Sequence, residues 1–196
     1  RLSFAPENFP GRQETSLNWS GAVTRPARQI QTIYGEFEMP PFSAPVGVRR
    51  GEYRCSSWIG IDGHDPTSQS MPQIGVTMKV DVGPSGAPPA YEPWFQWWSR
   101  RFHLPPITIP NLPIRAGDTI VCAVEIVNGS TVNLCLQNRT APNAPTFAMQ
   151  VDAQVLYGLI YIDPVTGTTG EWIAERPTRL DSDVRYPLPA FGAVKF

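Results

Sequence analysis

The stretch TIVCAVEIVNGSTVNLCLQ, residues 119–137, indicates the fold class of this chain. Its Asn128-Gly129 pair is the strongest short signal for a tight hairpin turn, and apolar, β-branched segments flank the pair on both sides. We therefore predict two paired strands, Thr119–Val127 and Thr131–Gln137. Much of the remaining chain repeats this pattern of short apolar segments between turns. The further predicted strands are Ile30–Glu38, Ser57–Ile61, Gln73–Val82, Tyr91–Phe102, Thr146–Val155, Glu171–Ala174 and Phe191–Phe196.

The composition supports an all-β chain and excludes several classes of protein. Proline and glycine number 22 and 16 among 196 residues, and proline breaks helices, so a helical bundle is excluded. Many short strands between such turns predict an antiparallel β-sandwich of the concanavalin or jelly-roll type. A net charge of −1 gives no electrostatic footprint for nucleic acid. The longest uncharged apolar run, Val155–Ile162, is far too short to cross a membrane.

The length and the spacing of the turns predict a single domain. Residues 1–17 contain Pro6, Pro10 and Gly11 and are expected to form an irregular arm. Residues 18–196 are expected to form one β-sandwich, because no linker or internal repeat divides them. We expect this domain to be a monomer.

The hairpin also brings two of the three cysteines close together. If Asn128-Gly129 forms the whole turn, Cys122 lies directly opposite Cys135 on a non-hydrogen-bonded pair, where Cα atoms are about 4.5 Å apart. That spacing allows a disulfide, and we predict one between these residues. The alternative is a pair of reduced cysteines that pack as small apolar side chains. A disulfide would indicate an oxidising, extracellular compartment and would leave Cys55 unpaired.

The sequence lacks the motifs of several common hydrolases and of metal centres. It contains no G-x-S-x-G, no phosphate-binding loop and no H-E-x-x-H. Its two histidines, His64 and His103, do not have the spacing of zinc ligands, and His64 is expected to be a solvated loop residue. We therefore predict neither a metal nor a cofactor.

An aromatic-rich strand is the clearest candidate for a binding surface. In the segment WFQWW, alternation places Trp94, Gln96 and Trp98 on one face of the strand. Phe95 and Trp97 point to the other face. One face must pack in the core, and the other then exposes large aromatic side chains beside an amide, which fits a groove for an extended ligand.

Six short motifs follow one another along the sequence. They are NWSG at 18–21, SWIGIDG at 57–63, QIG at 73–75, YEPWFQW at 91–97, GEWIAE at 170–175 and PAFG at 189–192. In type and order these motifs resemble the glutamic peptidases, or eqolisins, over almost the whole chain. The resemblance implies two curved antiparallel sheets that form a sandwich, with a substrate groove on one concave face.

The resemblance also implies roles for individual residues. It implies a catalytic dyad of Gln73 and Glu171, in which the glutamate activates water and the glutamine stabilises the oxyanion. The positions that it places at the substrate groove are Gly21, Trp58, Asp62, Glu92, Trp94 and Gln96. The family has glutamate where this chain has Gln96. It also continues beyond the block that matches Phe191–Phe196, so we expect a domain without its last strand or strands.

Together these features predict an acid-active, secreted endopeptidase that binds an extended polypeptide and uses no metal or cofactor. Two alternatives remain open. One is a carbohydrate-active or carbohydrate-binding jelly roll, because Trp-rich concave sheets also bind sugar rings and paired carboxylates cleave glycosidic bonds. The other is an inactive peptidase-like binding module, because Gln96 replaces a carboxylate. Nucleic acid and membranes are not expected partners.

Overall fold

Antiparallel strands form nearly all of the regular secondary structure in this computed structural model, which describes residues 12–83, 87–141, 143–180 and 182–196. The strands are β1 (Trp19–Thr24), β2 (Thr32–Glu38), β3 (Phe42–Ser43), β4 (Gly51–Ile61), β5 (Ser70–Val82), β6 (Ala90–Ser99), β7 (Ile107–Thr108), β8 (Thr119–Asn128), β9 (Thr131–Asn138), β10 (Phe147–Asp152), β11 (Gly170–Glu175) and β12 (Ala190–Phe191). A short helix, α1, spans Ala153–Tyr157. Most of the predicted N-terminal arm, residues 1–11, lies outside the described residues.

The strands form two large antiparallel sheets and a small one. The first sheet has the order β1-β11-β4-β5-β6-β7, the second has the order β10-β9-β8-β2, and β12 pairs with β3. Residues from both large sheets contribute to one buried apolar cluster, so the sheets pack face to face as a sandwich. This arrangement confirms the predicted all-β, antiparallel fold class. No helix in the described ranges is long and apolar enough to span a membrane.

The core between the sheets follows from alternation along the strands that face it. In β5, Ile74, Val76 and Met78 are completely buried in this core, and in β9 Leu134 and Leu136 join them from the second sheet. Full burial of each such side chain stabilises the fold by about 1.5–3 kcal/mol. The core thereby fixes which residues of β4, β5 and β6 point to the opposite face of the first sheet.

That opposite face carries a second apolar cluster. Its buried members are Trp58, Met71, Trp94 and Ile173, with Trp19, Val23 and Trp98 packed against them. The first sheet is therefore apolar on both faces, which explains why β4 and β5 are buried almost continuously. The predicted division of the aromatic strand is confirmed, because Phe95 and Trp97 lie in the main core while Trp94 and Trp98 lie on the opposite face.

The predicted disulfide is wrong, because the hairpin register differs by one residue from the prediction. A register shift between Ile126 and Asn128 places Cys135 opposite Ala123, and Cys122 opposite Leu136. A one-residue shift turns a side chain to the other face of the sheet. Cys122 is consequently buried in the core, Cys135 points to the outer face, and both are free thiols, as is Cys55.

Several predicted strands are shorter than expected, and two of them differ most. The strand predicted over Thr146–Val155 ends at Asp152, whose carboxylate accepts hydrogen bonds from the backbone N–H groups of Gln154 and Val155 at 2.9 and 3.1 Å. This contact caps the N-terminus of α1, and the local cap prevails over the alternation that predicted a longer strand. In the predicted strand Phe191–Phe196, only Phe191 pairs, as part of β12.

Candidate active site

Four residues form a straight row across the centre of the first sheet. Glu171 of β11 lies opposite Gly60 of β4, Gly60 lies opposite Gln73 of β5, and Gln73 lies opposite Gln96 of β6. Residues that pair across antiparallel strands point to the same face, so the three side chains project to one side of the sheet. The structure therefore brings the two predicted dyad residues, which are far apart in sequence, into one row.

Gly60 creates the gap between the dyad residues. The backbones of β11 and β5 are two strand spacings apart, about 10 Å. With glycine at position 60, only the edge of the Trp58 ring reaches the space between them. A Cβ at this position would lie 3.1 Å from Trp58 Cζ3 and 3.2 Å from Gln73 Cβ. Sequence reasoning assigned no role to Gly60, although a glycine inside a buried strand is itself a signal for close approach.

Glu171 is a fully buried carboxyl group with one oxygen held by the protein. Its Oε1 accepts a hydrogen bond from the backbone N–H of His64 at 3.0 Å. Its Oε2 is buried and makes no hydrogen bond to the described residues. Burial raises the pKa of Glu171 to about 7, and the nearby Thr169 hydroxyl and the backbone N–H groups of His64 and Gly63 only partly oppose that effect. Such a carboxyl group can accept and return a proton near neutral pH.

Asp62 shapes the turn that supports Glu171. Its two carboxylate oxygens accept hydrogen bonds from the backbone N–H groups of the loop 166–169, at distances from 2.5 to 3.4 Å. The residue has a φ of 75°, in the left-handed region, and the chain turns there toward His64. The structure thus places Asp62 as an anchor for this loop, 1% exposed and directed away from the groove.

Gln73 and Gln96 form a chain of hydrogen bonds. Gln73 Nε2 donates to Gln96 Oε1 at 2.8 Å, and Gln96 Nε2 donates to the carbonyl oxygen of Leu104 at 2.6 Å. Gln73 is 4% exposed, and its Oε1 makes no hydrogen bond to the described residues. Nε2 of Gln73 carries two hydrogens and uses one of them on Gln96, so it can offer the second to an oxygen atom in the groove.

An open cleft of about 1100 Å³ lies over the end of this row that holds Gln73 and Gln96. Four of the predicted groove and dyad residues line it: Gln73, Glu92, Trp94 and Gln96. Glu92 faces Lys79, whose Nζ lies 3.2 Å from its carboxylate. Trp19, Trp98 and Phe102 add aromatic surface. The cleft therefore combines apolar walls with a few polar groups, as ligand sites generally do.

Three predicted residues lie beneath this cleft rather than in its wall. Glu171 and Trp58 are fully buried. Gly21 allows β1 to approach β11, since a Cβ there would overlap the carbonyl oxygen of Trp172. Trp58 Nε1 donates to Glu175 Oε2 at 2.9 Å, and burial raises the pKa of Glu175. Glu175 received no role from the sequence, although it ends the same GEWIAE motif as Glu171.

The fold is a β-sandwich, and its candidate site pairs a buried carboxyl group with an amide that lines the cleft. Comparison with known proteins identifies the family that shares these features. The Peptidase A4 family model matches residues 17–196, so the chain belongs to the peptidase A4 family. This match confirms the resemblance to glutamic peptidases found in the motifs.

Individual relatives agree with this family. The chain is 26% identical over 204 residues to Aspergillopepsin-2 of Aspergillus niger, and the match covers 96% of this chain and 65% of that protein, just under two thirds of its length. The fold is similar to a crystal structure of scytalido-glutamic peptidase with a transition state analog inhibitor, with a TM-score of 0.67, 20% identity, and coverage of 90% of this chain and 76% of the other. It is also similar to SCP-B, an eqolisin in complex with the tripeptide Ala-Ile-His, with a TM-score of 0.63, 19% identity, and coverage of 90% and 75%.

Proposed function

We propose that this chain is an endopeptidase in which Glu171 is the general acid and base and Gln73 stabilises the oxyanion. The observation that carries the proposal is the row that places the buried Glu171 carboxyl group and the cleft-lining Gln73 amide on the same face of the sheet, on either side of Gly60. Membership of the peptidase A4 family supports the same reaction. We further propose that the substrate is a polypeptide in an extended conformation and that the protein is secreted.

The two residues can supply each step of peptide hydrolysis. Glu171 takes a proton from water as the water oxygen bonds to the carbonyl carbon, and the carbonyl electron pair moves to oxygen. The second N–H of Gln73 donates to this developing oxyanion. As the C–N bond breaks, Glu171 returns its proton to the leaving nitrogen. The sum is the addition of one water molecule, and no metal or cofactor takes part.

The raised pKa of Glu171 governs the pH dependence of this mechanism. A general base must be ionised, and with a pKa of about 7 the ionised fraction is about 1% at pH 5. We therefore propose that activity is present in acid but rises toward neutral pH. An optimum in strong acid would require substrate binding to lower this pKa.

Two substitutions test the assignment. Glu171→Gln keeps the shape of the side chain and removes proton transfer, which is typically worth 10²–10⁴-fold, so hydrolysis of a denatured protein should nearly cease. Gln73→Ala should lower kcat by about 10²–10³-fold with little change in KM, because its hydrogen bond forms in the transition state.

The controls decide between the proposed class and its alternatives. Circular dichroism confirms that each variant is folded, and pepstatin tests for contaminating aspartic peptidases. Full proteolysis by folded Glu171→Gln would remove Glu171 from the mechanism. Release of sugar from β-glucan or xylan by the parent protein would assign it to the carbohydrate-active class.

A further inference from the structure

The hydrogen bonds around Gln96 connect the rim of the cleft to Gln73. Gln96 Nε2 donates to the Leu104 carbonyl oxygen, and Gln96 Oε1 accepts from Gln73 Nε2. Gln73 and Gln96 lie directly opposite each other on β5 and β6, so the backbone of the sheet holds the two amides together. Leu104 belongs to the segment after β6 that lines one end of the cleft.

The acceptor at Leu104 determines the direction of both hydrogen bonds. A backbone carbonyl oxygen only accepts hydrogen bonds, so Gln96 must turn its NH₂ group toward Leu104 and its oxygen toward Gln73. Gln73 must then present its own NH₂ group, because two amide oxygens at hydrogen-bond distance repel each other. One N–H of Gln73 is thus fixed on Gln96, and the geometry of the planar amide fixes the second N–H as well.

We propose that Gln96 is a positioning residue, which orients the amide of Gln73 in the same way at every pH at which the protein is folded. This inference rests on the proposed role of Gln73 in the reaction. A carboxylic acid at position 96 could form both hydrogen bonds only while protonated. Once ionised it would still accept from Gln73, but it would have no hydrogen to donate to Leu104 and its charge would repel the Leu104 carbonyl oxygen, so it would move away and displace the Gln73 amide with it. An amide does not titrate, so the orientation of Gln73 does not depend on pH.

The kinetic test compares Gln96→Leu and Gln96→Glu with the parent. Gln96→Leu removes the hydrogen bond that orients Gln73 and should lower kcat about tenfold with little change in KM. Gln96→Glu should retain most of the parent's kcat in acid and then lose activity as the new carboxyl group ionises. The variant's pH profile should therefore contain a descending limb that the parent lacks.

A matched control separates this effect from the added charge. Gln137→Glu makes the same change on an exposed residue of β9, in the other sheet, and should keep the parent's pH profile. Thermal melting confirms that each variant is folded. A raised KM with unchanged kcat in Gln96→Leu would mean that Gln96 binds substrate instead. An unaltered pH profile in Gln96→Glu would overturn the proposal.

Nuclear magnetic resonance tests the orientation without relying on activity. The side-chain NH₂ signals of Gln73 and Gln96 can be assigned from Gln73→Ala and Gln96→Leu. In the parent both should exchange slowly with solvent, and in Gln96→Glu the Gln73 signal should show an additional titration that the parent lacks. A Gln73 signal that is insensitive to Gln96→Leu refutes the positioning role even if the protein is a peptidase. A sensitive signal in a protein without peptidase activity refutes the proposed function but supports the orientation by Gln96.

Discussion

Replacing Gly60 by alanine tests whether the gap in the row of the first sheet is essential. The new Cβ would lie 3.1 Å from Trp58 Cζ3, and 3.2 Å from both Gln73 Cβ and the carbonyl oxygen of Pro72. These distances are shorter than the 3.5–4.0 Å at which carbon atoms attract each other best. Trp58 is fully buried and the Pro72 oxygen is part of the backbone, so the strain falls mainly on Gln73.

The expected effect on stability is the balance of two terms. Overpacking of this kind costs about 1–3 kcal/mol. Replacing glycine by alanine also reduces the conformational entropy of the unfolded chain, which stabilises the fold by about 0.4–1 kcal/mol. We expect a net loss of about 1–2 kcal/mol in the free energy of unfolding. Because a misplacement of 1 Å can cost about 10²-fold, a shift of Gln73 by a few tenths of an ångström should lower kcat about tenfold.

Urea unfolding and steady-state peptidase kinetics measure these two effects. Gly192→Ala is the matched control, because a Cβ there would contact nothing within 4 Å. Its stability should change by no more than about 0.5 kcal/mol, and its kcat should not change. If Gly60→Ala behaved like Gly192→Ala in both assays, the gap would have no role in holding Glu171 and Gln73 apart.

Three further predictions concern ionisation and the cysteines. The pKa of Glu171 is raised from 4.5 to about 7 in the fold, so its contribution to stability is present below pH 4.5 and about 3 kcal/mol of the free energy of unfolding is lost by pH 7. Glu171→Gln should abolish this loss, which urea titration at each pH measures. Asp62→Asn replaces one of two acceptor oxygens with a donor that faces backbone N–H groups, so it should destabilise the fold by about 2–3 kcal/mol in the same assay. An unchanged urea midpoint would contradict the anchoring role of Asp62. Cys135, on the outer face, should react with a thiol reagent in the native protein, whereas the buried Cys122 should react only after unfolding. A mass spectrum that shows the two cysteines linked would contradict the register of the hairpin.

Local patterns in the sequence were sufficient to predict most strands and the division of one strand into two faces. Successive residues of β6 point to opposite faces of the sheet. Phe95 and Trp97 therefore lie in the main core, and Trp94 and Trp98 lie on the side of the groove. The motifs that resemble the glutamic peptidases likewise led to Gln73 and Glu171. Neither prediction requires knowledge of which strands are neighbours.

Register was the property that the sequence could not supply. The shift between Ile126 and Asn128 is a single extra residue, and no residue type there signals it, yet it separates Cys122 from Cys135. The role of Gly60 was hidden for a related reason. It depends on β4 lying between β11 and β5, and strand order arises from packing across the whole domain rather than from any short segment.

In the proposed mechanism, the burial that gives Glu171 its proton affinity also makes stability and catalysis respond to pH in opposite directions. Below about pH 5 the carboxyl group is neutral and its burial is least costly, but only about 1% or less of the molecules then hold the ionised base. Above pH 7 the base is ionised, and the fold bears a cost of about 3 kcal/mol, a large part of the 5–15 kcal/mol that stabilises a typical domain. The backbone N–H of His64 reduces this cost by donating a hydrogen bond to the carboxylate. If Glu171 is the proposed acid and base, the pH of highest activity is therefore set by packing around this residue as much as by the chemistry of peptide hydrolysis.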